Sequence, residues 1–320
     1  MPVTITAGIT FSGGGLTMAF GPPAGPTAGW IGGGLIPSPV TAISSVERIT
    51  FATDTATATV RGPLSGITYT QASAGTFTQG WFGGGNTYPI GPPYSISIVQ
   101  RITYSTDTAT ASVRGPLNRT PNYLGATSDQ TTYGWFVGGT TPGPNLSTVD
   151  RITYATDTAT ASVRGTLSYA QARMASVGNT TDGWFVSGPN SSVQRITYAS
   201  DTATATVRGP VAVIVRFSAG TGTSTQGWIA GQNDEATNTN VQRITYATDT
   251  ATASVRGPLS VNVFQMSAST DDYTYGWWAG GLSGTSVVQR ITYASDTVTA
   301  SLRGPLTSAR YATSATSGVQ

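Results

Sequence analysis

The chain has 320 residues, of which only 9% are charged and 38% apolar, with a formal net charge of +2. All 16 basic residues are Arg, and Lys, His and Cys are absent. This excludes disulfides, thiol nucleophiles, Schiff-base lysines, histidine bases and Cys/His zinc sites. A nucleic-acid binder normally clusters its basic residues, and none cluster here. No apolar run reaches the ~18 residues of a membrane span. The apolar content, with seven Trp, suffices for a core, so general disorder is excluded as well.

The first 27 residues read as a hairpin and a spacer. Val3, Ile5, Ile9 and Phe11 lie on one side of Gly13 to Gly15, and Leu16, Met18 and Phe20 on the other, in two alternating runs. A lone two-stranded hairpin is marginal in water. This one is therefore expected to anchor by strand addition on a second copy or another protein. Gly21 to Pro26 would be the stiff link to the rest of the chain. The opening lacks the basic start and apolar stretch of a signal peptide.

From residue 28 the chain repeats. A Gly-Trp pair recurs with Trp30, Trp81, Trp135, Trp184, Trp228 and Trp277, and an Arg-Ile-Thr string with Arg48, Arg101, Arg151, Arg195, Arg243 and Arg290. An Asp follows each of these Arg by six residues: Asp54, Asp107, Asp157, Asp201, Asp249 and Asp296. A second Arg then follows, at Arg61, Arg114, Arg164, Arg208, Arg256 and Arg303. The spacings between successive Arg-Ile-Thr strings are 53, 50, 44, 48 and 47. Each unit reads as four short strands, a to d. The Gly-Trp segment is strand b, apolar on both faces. Val149 to Ala155 is a strand c with period two. Ala159 to Gly165 is a strand d, with Ala159, Ala161 and Val163 on one face. Met174 to Gly178 is a strand a. Asp tolerates the tight c–d turn, and Pro after strand d breaks the ladder.

Four strands per ~48 residues, six times over, predict an all-β, six-bladed β-propeller of four-stranded antiparallel blades over 28–320. The chain ends on a strand a with no strand b, and its units begin on a strand b with no strand a. The C-terminal strand, 306–317, is therefore expected to complete the first blade and close the ring. The N-terminal hairpin would be an extension outside it.

The periodic Trp residues read as core. Trp278 stands where other blades carry Phe or Ile, and is the one Trp singled out as a candidate for a blade surface. The paired Arg residues read as hydrogen-bonding anchors between blades; the rival is an Arg ring lining the channel and binding an anion. The b–c loops vary most, and binding residues commonly sit on loops held by a rigid scaffold. Tyr88 and Tyr94 in one loop and Asp234 and Glu235 in another are the candidate contact residues. Asp271 and Asp272 read as a solvated turn, with too few oxygen ligands for calcium. No EF-hand, phosphate loop or nucleophile elbow occurs. No catalytic residue, cofactor or metal is assigned.

The units resemble kelch repeats. Pro305 to Arg310 is similar to the start of the first kelch strand. The diglycines at 82–85, 137–139 and 279–281 are similar to the end of the second, and Thr148 to Thr158 to the third. The diglycine is broken at Ser187-Gly188 and Ala230-Gly231, and small residues such as Thr160 and Ala161 replace the fourth-strand Trp. The wording of the repeat and the opening, TITAGITFSGGGLTM, resemble structural proteins of tailed phages from aquatic environments. That resemblance implies a non-enzymatic fibre or surface-decoration component of a virion. Its expected partners are other virion proteins or copies of itself, with a host-surface glycan or protein as a further contact. The alternative is a carbohydrate-binding propeller, and behind it a propeller-based glycosidase or lyase.

Overall fold

The computed structural model describes residues 8–12, 15–19, 25–87, 94–187, 191–231, 239–271, 273–282 and 285–318, the first two ranges as backbone only. Six four-stranded antiparallel sheets stand in a ring. Blade 3 is typical: strand a is Gly125–Ser128, b Tyr133–Val137, c Thr148–Thr153 and d Ser162–Thr166. A single 3-10 turn, Tyr154–Thr156, leads from c to d. Blade 1 is assembled from both ends of the chain. Its strands are Ser314–Thr316, Ala28–Gly32, Val46–Thr50 and Thr59–Arg61, in that order. Ser314, Ala315 and Thr316 pair with Gly32, Ile31 and Trp30.

Gly8–Ser12 and Gly15–Ala19 form a separate two-stranded hairpin. Ile9 pairs with Met18 and Phe11 with Leu16. Val3 and Ile5 lie outside the described residues. A second small hairpin, Leu35–Pro37 with Val40–Ala42, rises from the b–c loop of blade 1. No periodic signal announces it.

Strand d corrects one expectation. It begins at Ser162, so Ala159 precedes it, and Ala161 is buried while Val163 is exposed. Strand d is the outer edge of each blade. Val60, Val113, Val207, Val255 and Leu302 face solvent in the same way.

The core lies between blades. Each buried cluster mixes residues of two neighbours; one joins Trp81 and Val99 of blade 2 to Phe136 and Ile152 of blade 3. All six repeat Trp residues are buried. Trp278 is buried too, at 1% exposure, and its indole nitrogen donates to the Ala219 carbonyl. It fills the gap towards blade 5 that Phe fills elsewhere, so it is not a surface aromatic.

The landmark residues form one joint, used six times. In blade 3, Trp135 Nε1 and Arg151 Nη1 donate to Asp201 Oδ2 of blade 4 at 2.8 and 3.0 Å, and Arg164 Nε donates to Oδ1 at 2.8 Å. The same indole stacks on Tyr198 of blade 4, with ring centres 3.9 Å apart. Every blade grips its successor through the same Trp and first Arg, including blade 6, whose Trp277 and Arg290 donate to Asp54 of blade 1. Outside blade 3 the second Arg stands at ion-pair distance, its Nε 3.4 to 3.6 Å from the Asp. The Arg residues are thus blade anchors, as expected. They sit on strands c and d, whereas strands a line the channel, so the Arg-lined channel is excluded. The Gly after the second Arg completes the joint. Gly165 N donates to the Asp201 carbonyl at 2.7 Å. A Cβ there would stand 2.1 Å from the Ala203 carbonyl oxygen.

A second repeated device pins each d–a crossover to the blade it enters. It uses the residue before the first repeat Arg. Gln289 accepts from Val261 N and donates to Val261 O, and Gln242 treats Val213 likewise. In blade 3 the residue is the shorter Asp150, buried, with one 3.1 Å bond from Asn118 N. Burial raises its carboxyl to about 6, against the lowering effects of the Asn118 bond and Arg119. A carboxyl raised in the folded state stabilises below its unfolded value and loses that contribution as pH rises through about 6. Asp150→Gln is therefore expected to add roughly 1–2 kcal/mol at pH 7. It should also flatten the fall in stability between about pH 4 and 6 in urea melts.

Candidate functional site

The b–c loops and the d–a crossovers emerge on one face of the ring. Tyr94, on the b–c loop of blade 2, is exposed there, and its carbonyl accepts from Thr87 N. Tyr88, Asp234 and Glu235 lie outside the described residues. The described structure includes only Tyr94 of the four contact candidates.

It gathers a different set at the centre of the same face. Each crossover reaches its strand a through one residue of positive φ. These are Thr70, Tyr123, Arg173, Phe217, Gln265 and Ala312, with φ from 49 to 60°, and none is Gly. Left-handed backbone is uncommon for such residues and costs of order 1–3 kcal/mol. Here a closed circuit compensates. Tyr123 N donates to Thr70 O, Arg173 N to Tyr123 O, Phe217 N to Arg173 O, Gln265 N to Phe217 O, Ala312 N to Gln265 O and Thr70 N to Ala312 O. These six bonds, 2.7 to 3.1 Å long, rim the mouth of the channel. The geometry explains why the backbone is constant. It places no demand on the side chains, and all six differ.

Below the rim, Leu124, Met174 and Met266 narrow the opening around a cavity of about 70 Å³. Beneath them lies a polar shaft of about 110 Å³, lined by strand-a serines such as Ser73, Ser176 and Ser314. At the rim the Arg173 guanidinium carbon stands 5.2 Å from the Tyr123 ring centre and 4.9 Å from that of Phe217. The two rings meet edge-on at 5.5 Å. Partial burial raises the Tyr123 hydroxyl above its ordinary value, against the opposing charge of Arg173. The tyrosine stays neutral and can donate.

Arg173 is exposed, and it is one of three Arg residues outside the blade joints and the buried Arg310–Glu47 ion pair that ties the C-terminal segment to blade 1. The other two, Arg119 and Arg216, also lie on d–a crossovers. The mouth thus offers two aromatic rings, a guanidinium and the Gln265 amide. None of its described lining residues is a carboxylate.

One signal could have found this site. The rim residue always falls eight positions after the Gly that follows the second repeat Arg, as in Gly165 and Arg173. It is the place where a constant spacing carries a residue that never repeats. No family model matches the chain, and no curated protein matches it.

Proposed function

We propose that the chain is a non-enzymatic interaction module of a phage particle, a fibre or surface-decoration component. It holds its contact partner against the channel mouth. One observation carries the reading: six backbone-equivalent positions around one opening carry six different side chains, on a framework that otherwise repeats. That is the division expected of a rigid scaffold presenting a binding surface. The resemblance of the units to kelch repeats, and of their wording to tailed-phage structural proteins, supplies the setting. The six turn Asp residues are engaged in blade joints, which favours binding over carboxylate catalysis. The N-terminal hairpin is the anchor to a second copy or to another virion protein. The Tyr123 and Phe217 rings beside Arg173 favour a host glycan as a second reading of the partner, since aromatic walls with a few polar groups suit small ligands.

The test combines electron microscopy of particles with binding to host envelopes and to a glycan array. The triple variant Tyr123→Ser, Arg173→Ser, Phe217→Ser is expected to join particles and to melt within a few degrees of the parent, but to lose envelope binding. Deletion of residues 1–24 is expected to leave the ring folded and absent from particles. Undiminished envelope binding by the triple variant would overturn the mouth. Incorporation of the deletion variant would overturn the anchor, and absence of the parent protein from particles would overturn the setting.

A further inference from the structure

The a–b and c–d turns emerge on the face opposite the mouth, and grooves run there between neighbouring blades. The strand-b Trp, the strand-c Arg and the aromatic of the next blade's 3-10 turn form the groove walls. The first residue of strand b decides what fills it. In blades 3 and 6 this residue is Tyr133 and Tyr275. The Arg151 guanidinium carbon lies 4.1 Å from the Tyr133 ring centre, and that of Arg290 lies 3.9 Å from Tyr275. Both rings also meet the strand-b Trp at a steep angle, at 5.8 and 5.7 Å. In blade 4 the residue is Asp182, 3.5 Å from Arg195. Blades 2 and 5 have Gln79 and Gln226.

Blade 1 has Ala28 in this register. Ala28 pairs with Thr50 just as Tyr133 pairs with Thr153 and Tyr275 with Thr292. A cavity of about 380 Å³ lies there, bounded by Ala28, Trp30, Arg48, Phe77, Tyr104 and Pro26. The corresponding groove of blade 4 holds one of about 340 Å³, but with the Asp182 carboxylate where blades 3 and 6 have a phenol ring. The exposure of the strand-c Arg follows the covering residue. It is 19% and 17% under the two tyrosines, 22% beside each Gln, 24% beside Asp182 and 29% at Arg48. Asp107 holds the Arg48 side chain in place, so its guanidinium is a fixed wall of the cavity.

We propose that this cavity is a seat for a phenol ring, filled by a tyrosine side chain of a partner protein. The chain itself packs tyrosine against this set of walls twice. A guanidinium face attracts the electron-rich face of an aromatic ring, most strongly where water is excluded. Phe77, 40% exposed at the rim, adds an apolar edge. The phenol hydroxyl would remain at the open end, in water. The seat lies on the opposite face from the mouth and does not depend on what the mouth binds.

The test uses the full chain and follows the Trp indole N–H resonances by NMR. The probes are p-cresol and capped Gly-Tyr-Gly. In the parent protein p-cresol is expected to shift the Trp30 resonance at millimolar concentration. Ala28→Tyr fills the seat from within, and is expected to weaken the effect at least tenfold. Tyr133→Ala opens a second seat, so the Trp135 resonance should then respond as well. The tripeptide is expected to bind no more weakly than p-cresol. No response at Trp30 in the parent, or an undiminished response in Ala28→Tyr, would overturn the seat. Should Ala28→Tyr not fold, Tyr133→Ala decides, and a silent Trp135 resonance overturns it. Binding of p-cresol with exclusion of the tripeptide overturns the partner tyrosine.

Discussion

Trp135→Ala is expected to cost about 3–5 kcal/mol of stability, the range of large aromatic truncations in cores. The indole is fully buried, stacks on Tyr198 of the next blade and donates to Asp201 at 2.8 Å. Truncation removes packing and also leaves Asp201, 3% exposed, with one donor fewer. Trp135→Phe separates the two contributions. It keeps most of the stacking and loses the N–H, at an expected cost of about 1–2 kcal/mol beyond any packing change. Burial alone would raise the Asp201 carboxyl. The Arg164 and Trp135 hydrogen bonds, with the charges of Arg151 and Arg164, outweigh it and hold the carboxyl below its ordinary value. A lowered carboxyl contributes stability above its unfolded value and loses it as pH falls through the folded one. The joint should therefore weaken below about pH 4. Urea melts from pH 3 to 7 read both effects. If Trp135→Ala keeps parental stability and loses partner binding, the Trp ring is a binding surface and not a core.

The second large effect concerns the blade assembled from both chain ends. Where other blades pin their crossovers with Gln or Asp, blade 1 has Glu47, and Arg310 reaches it from the C-terminal segment. Both side chains are buried, at 0% and 1% exposure. Thr307 also donates to Glu47, and Arg310 to the Ser45 carbonyl. Glu47→Gln leaves a buried guanidinium without its counter-charge, a loss of about 3–5 kcal/mol. The double variant Glu47→Gln, Arg310→Val installs the pair that blades 5 and 6 use, Gln242 with Val215 and Gln289 with Val263. It is expected to recover most of that loss, because a buried ion pair replaced whole by a packed apolar pair is often neutral or better. Denaturant melts of the four proteins in the cycle measure the coupling. A Glu47→Gln protein as stable as the parent would remove the ion pair from the closure.

The repeat was legible in the sequence because of this division of labour. The Trp, two Arg, Asp and Gly landmarks recur because one joint needs all of them, and that joint recurs at every blade boundary. The ring and its closing strand could therefore be read before any geometry. The rim could not. Its left-handed backbone sits on Thr70, Tyr123, Arg173, Phe217, Gln265 and Ala312, with no Gly to announce it, and the bonds that stabilise it run between blades. Loop-length variation drew attention to Tyr94 at the edge of the face, while the crossovers of constant length carry the central side chains. Trp278 misled for a related reason: an aromatic that departs from the repeat need not be exposed when the neighbouring blade leaves room for it.

The rim circuit requires that Ala312, next to the closing strand, stand beside Thr70 and Gln265 in the same molecule. Closure by the chain's own C-terminus is therefore the claim on which the mouth depends. The absence of Cys allows a direct measurement. Ile31 and Ala315 are opposite one another in the antiparallel pair that closes blade 1. Directly opposed Cβ atoms lie about 4.5–5.5 Å apart, close enough for a disulfide after a small adjustment. The variant Ile31→Cys, Ala315→Cys is to be oxidised at low protein concentration and run on a denaturing gel without reductant. The expected product is a monomer cross-linked within itself, migrating ahead of its reduced form. Disulfide-linked dimers, or thiols that stay free under oxidant in the folded protein, would contradict closure by the chain's own C-terminus.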